Sequence, residues 1–286
     1  MKFTKMQGAG NDFALIEAGD RQLDWSRLAV DMCDRHYGLG ADGLVILMPS
    51  AKADWRMRIF NADGSEADAC GNGLRCLVKY CADNGLTAAG TPELSVETMA
   101  GVRKGTVLEQ ADGKRKIRIG MGKPVLEAAD VPLDLSKGAA NVIDIKSMIS
   151  FDITVDGREL TVNAVSMGNP HAVHFIQKPV ADFPLESLGP LVEHYPVFPA
   201  RVNFEVVQQV GDNRMEARVW ERGVGETLAC GSGACAIAVA ARLHGCVENK
   251  TEIDLPGGRL ETEWDGSGEV LLSGPTETVF TGEWPD

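Results

Sequence analysis

Apolar positions along the chain fall mostly in short runs that alternate with polar ones or are rich in β-branched residues. FALIE (13–17), LVILM (44–48) and MRIF (57–60), and later AVHFI (172–176), NFEVV (203–207) and ARVW (217–220), read as strands. Two segments break that rhythm. After Cys70, the residues Leu74, Leu77, Val78 and Cys81 recur at helical spacing and predict an amphipathic helix. After Cys230 the run ACAIAVAARL (234–243) is apolar nearly all round, which predicts a helix enclosed by strands. Gly85 and Gly245 stand where a left-handed residue would end each helix. The pattern predicts an α/β chain in which each half is a curved sheet around one helix.

The halves also match each other in sequence. RIFNADGSEADACGNG, beginning at Arg58, aligns without a gap on RVWERGVGETLACGSG, beginning at Arg218, at an offset of 160. Arg58 falls on Arg218, Glu66 on Glu226, Ala69 on Ala229, Cys70 on Cys230, and Gly71 and Gly73 on Gly231 and Gly233. Agreement at that density marks a duplication. It extends outward, with Gly10-Asn11 opposite Gly168-Asn169, and ADGLVIL (41–47) opposite RVNFEVV (201–207). A period this long means two duplicated domains rather than a solenoid of short units. The expected boundaries are residues 1–118 plus 275–286 for the N-terminal half and 119–274 for the C-terminal half, with a last strand near 277–280 returning to the first. Residues 123–150 carry no informative motif.

Composition narrows the partners. The chain has 286 residues, 44% of them hydrophobic, and a formal charge of −13, so nucleic acid and anionic membranes are poor partners and a small molecule is the expected one. The N-terminus has no apolar signal-like core and no run approaches the roughly 18 apolar residues of a membrane span, which predicts a cytoplasmic protein. Seven cysteines, an odd number, argue against a disulfide framework, and most of them should be small buried side chains.

Cys70 and Cys230 differ from the rest because each opens a Cys-Gly-X-Gly segment directly before a helical run. A helix N-terminus leaves backbone N–H groups without intrahelical acceptors, so it attracts anions and favours thiolate over thiol. Glycines let the backbone approach a ligand and turn its amides inward. Two such thiols on opposite sides of one carbon could invert it: one takes the α-proton, the other supplies a proton to the opposite face, and the amides hold the developing carboxylate charge. No metal or pyridoxal cofactor is demanded. Zinc binding fits poorly, because the cysteine spacings lack tight pairs with matching histidines, and phosphate cradling lacks a Gly-Lys-Ser/Thr sequence.

The stretches KMQGAGNDF, GLGADGLVIL, RIFNADGSEADACGNGLRC, SMGNPHAV, VNFEVV and RVWERGVGETLACGSGACA resemble the diaminopimelate epimerase family, and the resemblance covers essentially the whole chain. It implies two pseudo-symmetric α/β (α+β) domains, each a barrel-like, mostly antiparallel sheet around a central helix. It implies a cofactor-independent isomerase, with Cys70 and Cys230 as the acid/base pair converting LL- to meso-2,6-diaminopimelate, a step toward lysine and peptidoglycan. It further implies substrate-binding roles for Asn11, Asn61, Asn169 and Asn203, backbone amides from Gly71-Asn72 and Gly231-Ser232, an ammonium partner in Glu221 and a carboxylate partner in Arg222. His171 and Glu221 would tune the thiols, and a homodimer would be usual. One departure is Gly43, opposite Asn203 in the repeat, where some relatives carry glutamine. Rival readings are another two-cysteine racemase of the same superfamily, a thiol redox enzyme cycling a Cys70–Cys230 disulfide, and a non-catalytic binding module.

Overall fold

The alternating runs become strands because each buries every second side chain against a helix or its neighbours, as in ELSVET (93–98), where Leu94, Val96 and Thr98 turn inward. The computed structural model describes residues 1–68, 70–88, 91–109 and 115–285; Ala69, which the repeat sets on Ala229, and Asp286 lie outside them. The chain divides into two units, Met1–Gly120 with Ser273–Asp286, and Met121–Leu272.

The first unit contains β1 (Lys2–Gly8), β2 (Asn11–Glu17), α1 (Trp25–Cys33), β3 (Gly43–Met48), β4 (Trp55–Asn61), β5 (Glu66–Ala67), α2 (Gly71–Asp83), β6 (Glu93–Thr98), β7 (Gly101–Glu109) and β8 (Arg115–Gly120). The second contains β9 (Ala140–Ile145), β10 (Met148–Val155), β11 (Arg158–Ser166), β12 (Pro170–Ile176), α3 (Leu185–Glu193), β13 (Asn203–Gly211), β14 (Arg214–Glu221), β15 (Gly225–Thr227), α4 (Gly231–His244), β16 (Lys250–Leu255) and β17 (Gly258–Glu263). The chain leaves it through β18 (Leu271–Gly274) and ends in β19 (Glu277–Glu283).

The duplication reaches down to strand pairing. In the first unit the order is β19-β1-β2-β3-β4-β6-β7-β8, antiparallel except for the parallel pairs β2–β3 and β4–β6. In the second it is β9-β10-β11-β12-β13-β14-β16-β17, with parallel pairs β12–β13 and β14–β16 at the same places. Parallel neighbours need a crossover. In each unit one crossover carries a short helix, α1 or α3, and the other carries the long helix, α2 or α4.

The long helix is what the strands enclose. α2 packs against β1, β2, β3, β4, β7 and β8, and α4 against β11, β12, β13 and β17. Every residue of α4 from Gly233 to Ala241 is buried, and its alanines let strands close in on all sides. The result is a sheet-dominated α+β fold in which each unit is a mostly antiparallel, curled sheet around a central helix, as the pattern and the resemblance predict.

Two matched residues of the repeat make the same contact in both units. Arg58 donates to both oxygens of Glu66 at 2.7 and 2.8 Å, and Arg218 to both oxygens of Glu226 at 2.7 and 2.8 Å. This planar fork bridges β4 to β5 and β14 to β15, and it holds the loop that delivers each cysteine. In the first unit it keeps the Glu66 carboxyl below the usual carboxylate range.

Three elements are not assigned from the sequence. α3 contains Gly189-Pro190, which reads as a helix breaker, yet a Cβ at Gly189 would stand 2.5 Å from the Trp220 ring, so the glycine lets the helix lie against β14. α1 is short and half polar, but it does carry a helical signal that went unread: Asp24 caps it, and Trp25, Ala29, Met32 and Cys33 recur along its buried face. β9, within 123–150, leaves Val142 and Ile143 exposed, so its apolar residues mark no buried face.

Candidate active site

Cys70 is the N-cap of α2, with extended backbone (φ −140°, ψ 117°), and its sulfur accepts the Gly73 N–H at 3.4 Å. Cys230 caps α4 in the same way (φ −117°, ψ 116°), accepting the Gly233 N–H at 3.3 Å. The last glycine of each motif leaves little room for a side chain. A Cβ on Gly73 would lie 2.9 Å from Ile59 Cδ1, and one on Gly233 would lie 2.9 Å from Glu205 Oε1 and 3.4 Å from the Cys230 sulfur. Gly71 and Gly231 open the helices, so their amides and those of Asn72 and Ser232 belong to the first turns, where N–H groups lack intrahelical acceptors.

In the first unit, Asn11, at the start of β2, is brought to the thiol: its Oδ1 lies 3.8 Å from the Cys70 sulfur and accepts from Asn72 Nδ2 at 3.2 Å. Asn11 Nδ2 donates to Asp42 at 2.6 Å. Asn72 is held in turn by Arg75, a fully buried guanidinium that donates to its Oδ1 at 2.8 Å. Asn61 ends β4 and is exposed, donating to Ser65 Oγ at 2.9 Å within its own turn. Gly43 faces Phe13 and Asn61 across the sheet, and a Cβ there would meet the Phe60 carbonyl at 2.8 Å, so this position contributes backbone only.

The second unit gathers more of the expected residues. Ser232 Oγ lies 3.5 Å from the Cys230 sulfur and 3.5 Å from Asn169 Nδ2. Asn169 Oδ1 is 3.0 Å from His171 Nε2, and His171 Nδ1 lies 2.7 Å from Glu205 Oε1. Glu221 ends β14 where Asn61 ends β4; it accepts from Thr227 Oγ1 at 2.5 Å and contacts the Cys230 thiol. Asn203 is a clamp, donating to the Pro170 carbonyl and accepting the Arg222 N–H, each at 2.9 Å. The Arg222 guanidinium donates to the Ala200 carbonyl at 2.9 Å and is partly exposed, with further N–H groups to offer.

The electrostatics correct one expectation. The helix N-terminus predicts a lowered thiol pKa at both cysteines. At Cys230 the pKa is instead raised well above the ordinary thiol value, chiefly by burial and then by the nearby Glu221 and Glu205 carboxyls. The Gly233 N–H opposes this and is outweighed. Burial likewise raises the Glu221 carboxyl. The two thiols therefore sit in unlike surroundings: a buried guanidinium three hydrogen bonds behind Cys70, and two carboxyls beside Cys230.

Sequence reasoning missed Arg75, Glu205, Asp42 and Thr227. Glu205 had a signal, since an acid inside an otherwise apolar central-strand run is out of place without a buried partner.

Matched to known families, the chain fits the model for diaminopimelate epimerase over residues 3–127 and 163–279, once in each half. A diaminopimelate epimerase of Acetivibrio thermocellus is 44% identical over 288 residues, covering 99% of this chain and 98% of the relative. The chain belongs to the diaminopimelate epimerase family. Solved structures extend the likeness of fold beyond this epimerase family. A Bacillus anthracis phenazine biosynthesis protein of the PhzF family aligns with TM-score 0.68 at 15% identity, covering 100% of this chain and 99% of its own. A probable proline racemase from Agrobacterium radiobacter aligns with TM-score 0.69 at 14% identity, covering 99% and 92%.

Proposed function

We propose that this member of the epimerase family interconverts LL- and meso-2,6-diaminopimelate without a cofactor, using Cys70 and Cys230 as a two-base pair. The observation that supports the pair most directly is that the two thiols occupy one equivalent position, the N-cap of the enclosed helix, in both units of a duplicated chain.

In the forward direction the Cys70 thiolate takes the α-proton: the C–H bond breaks, an S–H bond forms, and the electron pair spreads onto the carboxylate. First-turn amides of α2 and α4 stabilise that charge. The Cys230 S–H then gives its proton to the opposite face and becomes the thiolate, so the reverse reaction starts from the swapped pair. The raised thiol of Cys230 suits it to rest as the donor.

The remaining roles follow from residue chemistry. Asn11, Asn61, Asn169 and Asn203 supply amides to the substrate, Arg222 its planar fork to the distal carboxylate, and Glu221 a carboxylate to an ammonium. Position 61 in the first unit and 221 in the second are equivalent, so one ancestral site has become asymmetric, as a substrate with two distinguishable ends requires.

A thiol pair that must stay reduced works in a reducing compartment, which for this chain is the cytoplasm. Two copies are proposed to associate, and Val279 and Phe280, about half exposed on β19, are apolar surface available to a second copy.

Incubation with single pure amino acids tests the substrate. LL-diaminopimelate is expected to convert to the meso form, with L-proline and L-histidine unchanged. Racemised proline with untouched diaminopimelate would reject this reading in favour of another two-cysteine racemase.

A further inference from the structure

The buried pair Glu205–His171 enters none of the proton transfers above. Both side chains are fully shielded from solvent, and His171 Nδ1 lies 2.7 Å from Glu205 Oε1, where an ionised carboxylate would accept the Nδ1–H. The duplication supplies an internal reference for this pair. The register of β2 on β3 and of β12 on β13 sets Phe13 and Val45 in the first unit where His171 and Glu205 stand in the second. Phe13 and Val45 are also buried. A buried polar pair pays for its desolvation and is rarely more stabilising than the apolar pair that fits the same space. Packing alone therefore does not explain why the second unit departs from the first.

Position does explain it. From the other ring nitrogen a chain of contacts runs to a thiol: His171 Nε2 to Asn169 Oδ1 at 3.0 Å, Asn169 Nδ2 to Ser232 Oγ at 3.5 Å, and Ser232 Oγ to the Cys230 sulfur at 3.5 Å. Glu205 itself abuts Gly233, whose N–H holds that sulfur. Glu205 Oε2 has no hydrogen-bond partner among the described residues, so the carboxyl is committed to His171 through Oε1. The first unit has the same plan with other parts, since Arg75 holds Asn72, which holds Asn11 beside Cys70.

We propose that Glu205 is a positioning residue of the second half-site: it fixes the tautomer and tilt of His171 and, through Asn169 and Ser232, sets the direction in which Cys230 meets the substrate. The inference rests on the reading of Cys230 as an acid/base group. A carboxylate that fixes an imidazole's tautomer and orientation in this way is a familiar requirement of sites that depend on one.

The test measures kcat and KM for LL-diaminopimelate in Glu205→Val, Glu205→Gln and the double variant His171→Phe/Glu205→Val, which recreates the apolar pair of the first unit. Glu205→Val is expected to lower kcat about 10- to 100-fold, with KM changing less than about threefold. Glu205→Gln keeps the shape and an acceptor oxygen but can also turn its NH2 toward Nδ1, so its kcat should fall between those of Glu205→Val and wild type. The double variant should match Glu205→Val, because His171 has nothing left to contribute once its anchor is gone. Wild-type kcat in Glu205→Val, or a double variant more than about tenfold slower than Glu205→Val, overturns the proposal. Should Glu205→Val fail to fold, the imidazole ¹⁵N shifts of the wild-type protein decide: a single tautomer protonated at Nδ1 is expected, and a ring averaging between tautomers overturns it. Turnover in Cys230→Ala at the wild-type rate would instead remove the parent reading, so the two failures are distinct.

Discussion

Cys70→Ala and Cys230→Ala are each expected to lower epimerisation of LL-diaminopimelate by at least about 10³-fold, near the upper range for loss of a positioned acid or base. The scheme gives each thiol one face of the α-carbon, so neither can stand in for the other. The fold should survive, because each sulfur contributes only a helix cap, worth roughly 1 kcal/mol, to a unit with an extensive apolar core. Cys76→Ala and Cys235→Ala are the controls. Both sulfurs are fully buried on the same helices, and burial pushes the Cys76 thiol up to about 12, which makes it inert. Their loss should trim stability by roughly 1 kcal/mol and leave turnover within about threefold. The measurements are initial rates beside thermal midpoints for all four variants. Near wild-type turnover in either of the first two would contradict the scheme.

The second large effect concerns the pH at which Cys230 becomes reactive. Its pKa lies well above the ordinary thiol value of 9.0, with burial the main cause and two carboxyls adding to it. Only the thiolate alkylates, so this thiol should react slowly near neutral pH. In the Cys70→Ala background, iodoacetamide labelling of Cys230, followed by peptide mass spectrometry, should quicken with every pH step from 7 to above 9. A rate that levels off below pH 8 would show an activated thiol and contradict the assignment of Cys230 as the resting donor. The same pKa direction has a stability consequence. A group whose folded pKa is raised stabilises the fold below its unfolded pKa, and that contribution disappears as pH climbs toward the folded value. Burial also lifts Cys33, Cys76 and Cys81 to about 12, so the loss falls between roughly pH 9 and 12.

Much of the fold was legible because the duplication doubled every signal. Arg58 and Glu66 could be matched to Arg218 and Glu226 by letter alone, and the match proved to be one repeated ionic fork. The two long helices were readable from opposite cues, a one-sided apolar stripe at α2 and an all-round apolar surface at α4. α3 escaped because Gly189-Pro190 mimics a breaker, and its true reason, contact with Trp220, is tertiary. At the site, the repeat and the helix-capping motif singled out the cysteines and the resemblance supplied the asparagines, but the sign of the local field did not follow from the motif. A helix N-terminus argues for thiolate wherever it occurs, whereas at Cys230 burial outweighs it, and the Glu221 and Glu205 carboxyls, brought in from strands β14 and β13, add to the effect. Arg75 was hidden for the matching reason. An arginine in a helix reads as solvated surface, yet this one is buried whole beneath Asn72.

The proposed mechanism requires two thiols, one from each unit, to serve opposite faces of a single carbon. Deuterium incorporation from heavy water during early turnover of pure LL-diaminopimelate addresses that most directly. Each thiol carries a single exchangeable hydrogen, so meso product should hold deuterium at the inverted carbon while recovered LL substrate stays unlabelled. Equal labelling of recovered substrate and product from the first turnovers would mean that one base works both faces, and the paired-thiol account would be wrong.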